Sequence, residues 1–397
     1  MDVTQLVDID IFTLVLCGVI LVITLISIFL NPLFRLKTKA FSSEEKQESE
    51  SEEIDNPISI VLPIRENNTE LRALIPAILS QEYTSEFQLI IVIDKGDHET
   101  KDILEQYEND NRLYVTFVPT TSRYMSRQKM AITLGVKAAK YQHVLLIGVN
   151  TLIEKNSWLQ AIGHSFKKDS NLFVVPGTYE ESTNSFYQFA HLHTLSYLLN
   201  GYLKGRFDRI NSNIVGFKKD EFIEQDGFRG GLEHVRGEYE FIVNKYSQQG
   251  ECLLQFNCDE WTCEKAPSKA EWMDKELTYM HTKRYLKQSR KYKFVYFLDT
   301  FFYHFNYVLQ LLLGAWSIYS QNWFLLICVA FCWLLTFIVR GIIAKRAMNF
   351  FRVDIPFMLL GWLELRNQYH KLWYTIKYKR SDKTEFTPFR PTRRTSS

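Results

Sequence analysis

Continuous apolar runs, separated by stretches with helical spacing, fill the middle of this chain. "ISIVLP" (Ile58–Pro63), "FQLIIVID" (Phe87–Asp94), "LYVTFVP" (Leu113–Pro119) and "HVLLIGV" (His143–Val149) read as buried strands, because a strand covered on both faces does not alternate. Between them, "TELRALIPAILSQEY" and "SRQKMAITLGVKAAK" place apolar residues on one helical face, the first despite Pro76 in its interior. Strands alternating with helices predict an α/β, doubly wound, mostly parallel sheet that binds ligands at the carboxyl ends of its strands. After Pro176 the pattern loosens. "SFYQFAHLHTLSYLLNGYL" reads as a helix, "NSNIVGF" as a short strand, "EYEFIVNKYSQQ" as a helix and "CLLQF" as a strand. "KAEWMDKELTYMHTKRYLKQSRKY" reads as one long helix.

Three flanking segments are apolar enough to span a bilayer. Ile9 to Leu30 carries no charge after Asp10 and is about 33 Å long as a helix. It is too long for a signal-peptide core and lacks a basic leader, so it is read as a retained anchor. Phe294–Tyr319 and Trp323–Ala344, joined by "SQN", form a predicted transmembrane hairpin. Asp299, His304 and Asn306 leave the first of these open to a second reading, a buried amphipathic helix. Arg35, Lys37 and Lys39 follow the first span, and Arg284, Lys287, Arg290, Lys291 and Lys293 precede the second. Arg340, Lys345 and Arg346 end the third. The positive-inside rule then places the central domain in the cytoplasm, on the inner face of a multi-pass cell-membrane protein.

The predicted organisation is an N-terminal anchor (1–34), an acidic disordered linker (35–55), the α/β domain (56–292), the hairpin (293–346), and an amphipathic interfacial helix with a basic tail (347–397). Aromatic content of 15%, much of it in the last third, supports membrane contact. A formal net charge of +2 gives no footprint for nucleic acid. Cys252, Cys258 and Cys263 lack Cys-x-x-Cys spacing, which argues against zinc.

Four stretches in order carry a family resemblance: "ISIVLPIRENNTELRALIPAILSQEY", "LIIVIDKGDHET", "SRQKMAITLGVKAAKYQHVLLIGVN" and "RINSNIVGFKKDEFIEQDGF". Over roughly Asn56 to Tyr292 the chain resembles a membrane-bound family 2 glycosyltransferase of the GT-A fold. The resemblance implies a nucleotide-sugar donor and a lipid-linked or growing glycan acceptor. It gives donor-binding roles to Pro63 and Arg65 in the first turn, to Asp94 at the nucleoside, and to Lys129 near the diphosphate. Asn213 and His281 fall on the acceptor side.

Two departures bear on activity. Where the family has Asp-x-Asp, this chain has Gly148 and Asn150, so the usual carboxylate ligands for Mg²⁺ or Mn²⁺ are absent and Asn150 is left as a neutral donor-side residue. Where inverting members have an acidic pair, Glu238-Tyr239-Glu240 stands; Glu238 takes the base position, with Glu240 as its near substitute. "HTKRY" matches Gln-x-x-Arg-Trp only at Arg284, a cation able to neutralise a leaving diphosphate beside Lys283 and His281. Two readings stay open: a metal-independent transferase, or an inactive scaffold that works with other glycan-assembly proteins. A processive synthase fits least, since three spans are few for a channel.

Overall fold

The computed structural model describes residues 10–34, 36, 56–64, 70–119, 125–166, 170–234, 236–248, 251–255, 261–286 and 290–381. Most of the acidic linker, Arg65 and the basic tail beyond Ser381 lie outside the described residues.

Helix α1 (Ile11–Leu30) opens the chain. It is followed by β1 (Ile58–Pro63), α2 (Leu71–Leu79), β2 (Phe87–Asp94), α3 (His98–Leu104), β3 (Leu113–Val118), α4 (Arg127–Ala138) and β4 (His143–Ile147). Next come β5 (Thr151–Leu152), α5 (Trp158–Ser165), β6 (Ser170–Val174), β7 (Gly177–Tyr179), α6 (Ser185–Tyr202) and β8 (Ile214–Lys218). The remainder is α7 (Lys219–Glu224), α8 (Glu238–Tyr246), β9 (Glu251–Leu254), β10 (Thr262–Glu264), α9 (Lys269–Thr282), α10 (Arg290–Tyr319), α11 (Trp323–Phe350) and α12 (Phe357–Arg380). The chain divides into two compact units, Thr38–His191 with Gly201–Lys287 and Lys371–Ser397, and Met1–Lys37 with Leu192–Asn200 and Gln288–His370.

In the larger unit the main sheet has the order β3-β2-β1-β4-β8-β6-β9. β1 runs parallel to β2 and β4, and β2 to β3, while β8 is antiparallel to both β4 and β6. Every residue of β1 and β4 is buried, as their unbroken apolar sequences require. Helix α4 lies across β1, β2 and β3 and makes its closest approach at Gly135. A Cβ there would sit 2.4 Å from Val61 Cγ1 and 3.1 Å from Val92 Cγ2. A second, three-stranded sheet has the order β5-β10-β7. Its strands of two or three residues are too short to leave any periodicity in the sequence.

The long helix expected from Lys269 onward is broken. Helix α9 begins with a capping box, in which Ser268 and Glu271 satisfy each other's backbone amides, and it stops at Thr282. No Gly or Pro marks the stop, so helical spacing runs on in the sequence through residues that turn in the structure. The end of α12 packs on α9. Tyr374 and Tyr378 are buried, and Tyr374 Oη accepts a hydrogen bond from Trp272 Nε1 of α9 at 2.8 Å.

The smaller unit inverts the usual order of polar and apolar residues. Helices α1, α10 and α11 pack mutually, and α1 and α11 are long and apolar enough to cross a membrane. On α10, Asp299, Asn306 and Gln310 are buried, while Phe294, Phe297, Leu311 and Leu312 are exposed. Inside, Thr24 Oγ1 donates to Asn306 Oδ1 at 3.0 Å, and Asn306 Nδ2 donates to Thr336 Oγ1 at 3.2 Å. Arg340 donates through Nε to Glu364 at 3.1 Å and through Nη1 to the Ser27 carbonyl at 2.6 Å, and its guanidinium faces the Tyr303 ring.

Two stability outcomes follow from this packing. Gly135→Ala is expected to cost about 1–3 kcal/mol through overpacking against Val61, measured as a lower thermal midpoint in detergent. Glu364→Leu leaves Arg340 without its bidentate carboxylate and should cost about 3–5 kcal/mol. The double change Arg340→Leu with Glu364→Leu should lose less than Glu364→Leu alone; an equal or larger loss would mean that the ion pair is not the cause.

Candidate active site

A cavity of about 750 Å³ opens where the carboxyl ends of β1 and β4 meet the small sheet. Its walls are Pro63 at the end of β1, Gly148–Asn150 after β4, Arg209–Asn213 before β8, the start of α8 from Arg236, and the turn from Glu264 into α9. The continuous apolar strands stop here, so the chain leaves the sheet with polar residues that face one space.

At the centre, Asn213 Nδ2 donates to Asn150 Oδ1 at 3.1 Å, and the Asn213 backbone amide donates to the buried Glu264 carboxylate at 2.8 Å. A Cβ at residue 148 would lie 2.7 Å from Asn213 Cβ and 3.0 Å from Asn150 Oδ1. Gly148 is therefore more than a missing ligand, since the room its side chain would need is filled. The residues present do not fit a divalent cation at this strand end. Gly148 offers no ligand atom, Asn150 has given its amide oxygen to Asn213, and among the described residues no three His, Cys, Asp or Glu side chains group to hold a metal.

The start of α8 supplies the carboxylates. Gly237 holds φ +89°, a left-handed conformation that favours glycine, and a Cβ there would strike Thr282 Cγ2. Glu238 is only 5% exposed and its Oε1 accepts from Ser126 Oγ at 3.2 Å. Glu240 also lines the cavity. Burial lifts its carboxyl above the usual range, and the positive charge of Arg209 opposes that rise. Lys275 donates to Tyr179 Oη at 2.7 Å and to the Asn211 carbonyl at 2.9 Å. Burial works against its ammonium, but Tyr179 and Glu264 outweigh burial and hold its pKa above the ordinary value.

Of the residues singled out by sequence, Pro63, Asn150, Asn213 and Glu238 come together in this cavity. Arg65 lies outside the described residues. Asp94 ends β2 in an ion pair with Arg127 at 2.6 Å and does not reach the cavity. Arg284 is exposed above the Tyr378 ring, and His281 meets Tyr378 Oη at 3.0 Å; neither lines the cavity.

The role expected for Lys129 must be corrected. It is 0% exposed, and its ammonium donates to the carbonyl oxygens of Gly231 and His234. Lys129 therefore braces the loop before α8 rather than meeting a diphosphate. Burial lowers its pKa, against the pull of Glu238. Sequence reading missed Arg209, Lys275 and Glu264. Little marked them: Arg209 follows Asp208 and Lys275 lies between Asp274 and Glu276, so both read as ordinary surface charge.

Residues 59–220 match the family model described as Glycosyl transferase family 2. No curated protein matches the sequence. Among solved structures, a mannosyltransferase from Pyrobaculum calidifontis, in complex with GDP-Man and Mn²⁺, is 11% identical, with 90% of this chain and 99% of that chain covered and a TM-score of 0.50. Residues 1–349 of S. aureus TarS share 12% identity over 82% of this chain and 92% of that one, with a TM-score of 0.39. Glucosyl-3-phosphoglycerate synthase from Mycobacterium tuberculosis shares 10% identity over 61% and 82%, with a TM-score of 0.37. With its strand order and its matching segment, the chain has the GT-A fold, and residues 59–220 are similar to family 2 glycosyltransferases.

Proposed function

We propose that the chain is a membrane-bound, inverting glycosyltransferase. It moves a sugar from a nucleotide-sugar donor to a lipid-linked or growing glycan acceptor, with no metal at the strand end. The observation that carries this reading is the cavity itself: one polar space at the carboxyl ends of β1 and β4 into which the first turn of α8 brings two carboxylates. In the proposed reaction an acceptor hydroxyl attacks the anomeric carbon as the bond to the nucleoside diphosphate breaks. A carboxylate takes the hydroxyl proton, and the diphosphate leaves with the bonding electron pair.

The structure favours Glu240 over Glu238 as that base. Glu238 is held by Ser126, whereas Glu240 lines the cavity with its carboxyl raised above the ordinary value by burial. Asp94, at the carboxyl end of β2 and paired with Arg127 outside the cavity, keeps the nucleoside role only as what the resemblance implies. The Pyrobaculum calidifontis mannosyltransferase, solved with GDP-Man, supports a nucleotide-sugar donor as a class. The inactive scaffold keeps one observation in its favour: the Asn150–Asn213 pair closes the position of the family's metal ligands.

Membrane attachment rests on α1 and α11 and on the inverted polarity of α10, whose polar residues face inward. With the basic residues on the side of the central domain, the turn at Ser320–Asn322 belongs on the opposite face.

Three outcomes test this reading. Transfer from a panel of UDP- and GDP-sugars should persist in excess EDTA; abolition by chelation with recovery in Mn²⁺ would refute metal independence, and silence with every donor would favour the scaffold. Glu240→Gln should lower kcat roughly 10²- to 10⁴-fold. Because its folded pKa is raised, activity should be complete above that pKa and fall away as pH drops through it, at a higher pH than an exposed glutamate near 4.3 would give. For topology, a cysteine at Ser320 should react with an impermeant maleimide added to intact cells, and protection until lysis would reverse the assigned orientation.

A further inference from the structure

Four cationic side chains line the cavity: Arg209, Arg236, Lys265 and Lys275. Three are engaged. Arg236 pairs with Asp274, Lys265 with Glu70 at 2.8 Å, and Lys275 is held by Tyr179 and Asn211 with Glu264 3.9 Å away. Arg209 differs. It is 8% exposed, its Nε is buried with no hydrogen-bond partner, and it forms no ion pair among the described residues.

The guanidinium is nonetheless fixed. It lies 3.5 Å from the centre of the Tyr279 ring on α9. The Arg209 backbone is held where Tyr202 Oη donates to its carbonyl, and Asn244 Nδ2 donates to the preceding carbonyl of Asp208 at 2.9 Å. A guanidinium stays protonated at any physiological pH, so it cannot relieve its burial by losing its charge. The carboxyls of Glu240 and Glu276 feel its charge, but neither forms an ion pair with it, and its Nε donor is left for an incoming anion. The planar fork of N–H donors suits phosphate oxygens, which it can grip two at a time.

We infer that Arg209 is the phosphate-binding cation of this cavity, gripping the phosphate oxygens of a phosphoester ligand and carrying the charge that a strand-end metal carries in metal-dependent relatives of this fold. The inference rests on the transferase reading for its biological ligand, but the site is defined by Arg209 itself. Two sources share the chemistry: the diphosphate of the donor, and the phosphate of a lipid-phosphate acceptor. Arg284, to which the sequence resemblance gives this task, is exposed, stacks on Tyr378 and does not line the cavity.

The test uses the full chain in detergent with EDTA present. Binding of inorganic pyrophosphate and UDP represents the donor, and binding of geranyl phosphate represents the acceptor. Wild type is compared with Arg209→Gln, Arg209→Lys and Arg284→Gln. Arg209→Gln should weaken binding of pyrophosphate and UDP about 10- to 100-fold if the donor is the source, or of geranyl phosphate by the same factor if the acceptor is. Arg209→Lys should recover part of the loss, and Arg284→Gln should bind as wild type. The thermal midpoint of unliganded Arg209→Gln should stay close to that of wild type, since no ion pair or hydrogen bond of the guanidinium is lost.

A lower midpoint with unchanged phosphate binding would make Arg209 structural and overturn the proposal. So would failure of wild type to bind any probe, or loss of binding in Arg284→Gln alone. Sugar transfer by Arg209→Gln at the wild-type rate, with wild-type phosphate binding, would sink this inference and leave the transferase reading standing. Phosphate binding through Arg209 in a protein that transfers no sugar would do the reverse.

Discussion

The close approach of Asn213 to Gly148 sets the geometry of the whole site. β4 and β8 are antiparallel neighbours, with Ile147 opposite Ile214, so the residues that leave one strand and enter the other must share the same space. Asn213 fills it, bonds to Asn150, and through its backbone amide fixes the buried carboxylate of Glu264. Glu264 in turn lies 3.9 Å from Lys275 on α9. One missing side chain thus ties the central sheet to the small sheet and to the helix that closes the cavity. Restoring an aspartate at 148 would not restore a metal site, because its Cβ would collide with Asn213 before its carboxylate could reach anything.

The opposite wall depends on a buried lysine. Lys129 holds the carbonyl oxygens of Gly231 and His234, and a few residues later Gly237 turns through a left-handed conformation into α8. Glu238 and Glu240 are presented by this fixed entry. Burial does two separate things at this wall: it commits Lys129 to backbone acceptors, and it raises the proton affinity of Glu240. A lysine that seems free to meet a ligand when seen as the third residue of a helix is, in the fold, a strut.

Sequence made the sheet legible because β1, β2 and β4 are buried on both faces and their apolar runs are unbroken. The small sheet was not legible, since strands such as Thr151–Leu152 are shorter than any period. The stop at Thr282 was hidden because no Gly or Pro marks it, although Thr282 lies against Gly237 in the fold. In the site, Pro63, Asn150, Asn213 and Glu238 could be found because the segments that carry the family resemblance fall at strand ends and a helix start. Arg209 could not. An arginine is normally exposed, and nothing local marks the one whose charge is turned inward.

The charges lining the cavity show why that arginine matters. Six carboxyl and four cationic side chains line it, and a donor diphosphate would add further negative charge beside a strand end whose residues do not fit a dication. Arg209 lies close enough to Glu240 to oppose the rise that burial imposes on its carboxyl. The arginine therefore keeps the Glu240 carboxyl from rising as far as burial alone would take it. A phosphate bound to Arg209 would cancel much of that positive field and add a negative one, both of which raise the proton affinity of Glu240. The base would then be strongest when the leaving group is in place. The donor would prime the carboxylate that deprotonates the acceptor through one guanidinium, an ordering that a metal held by its own carboxylates does not require.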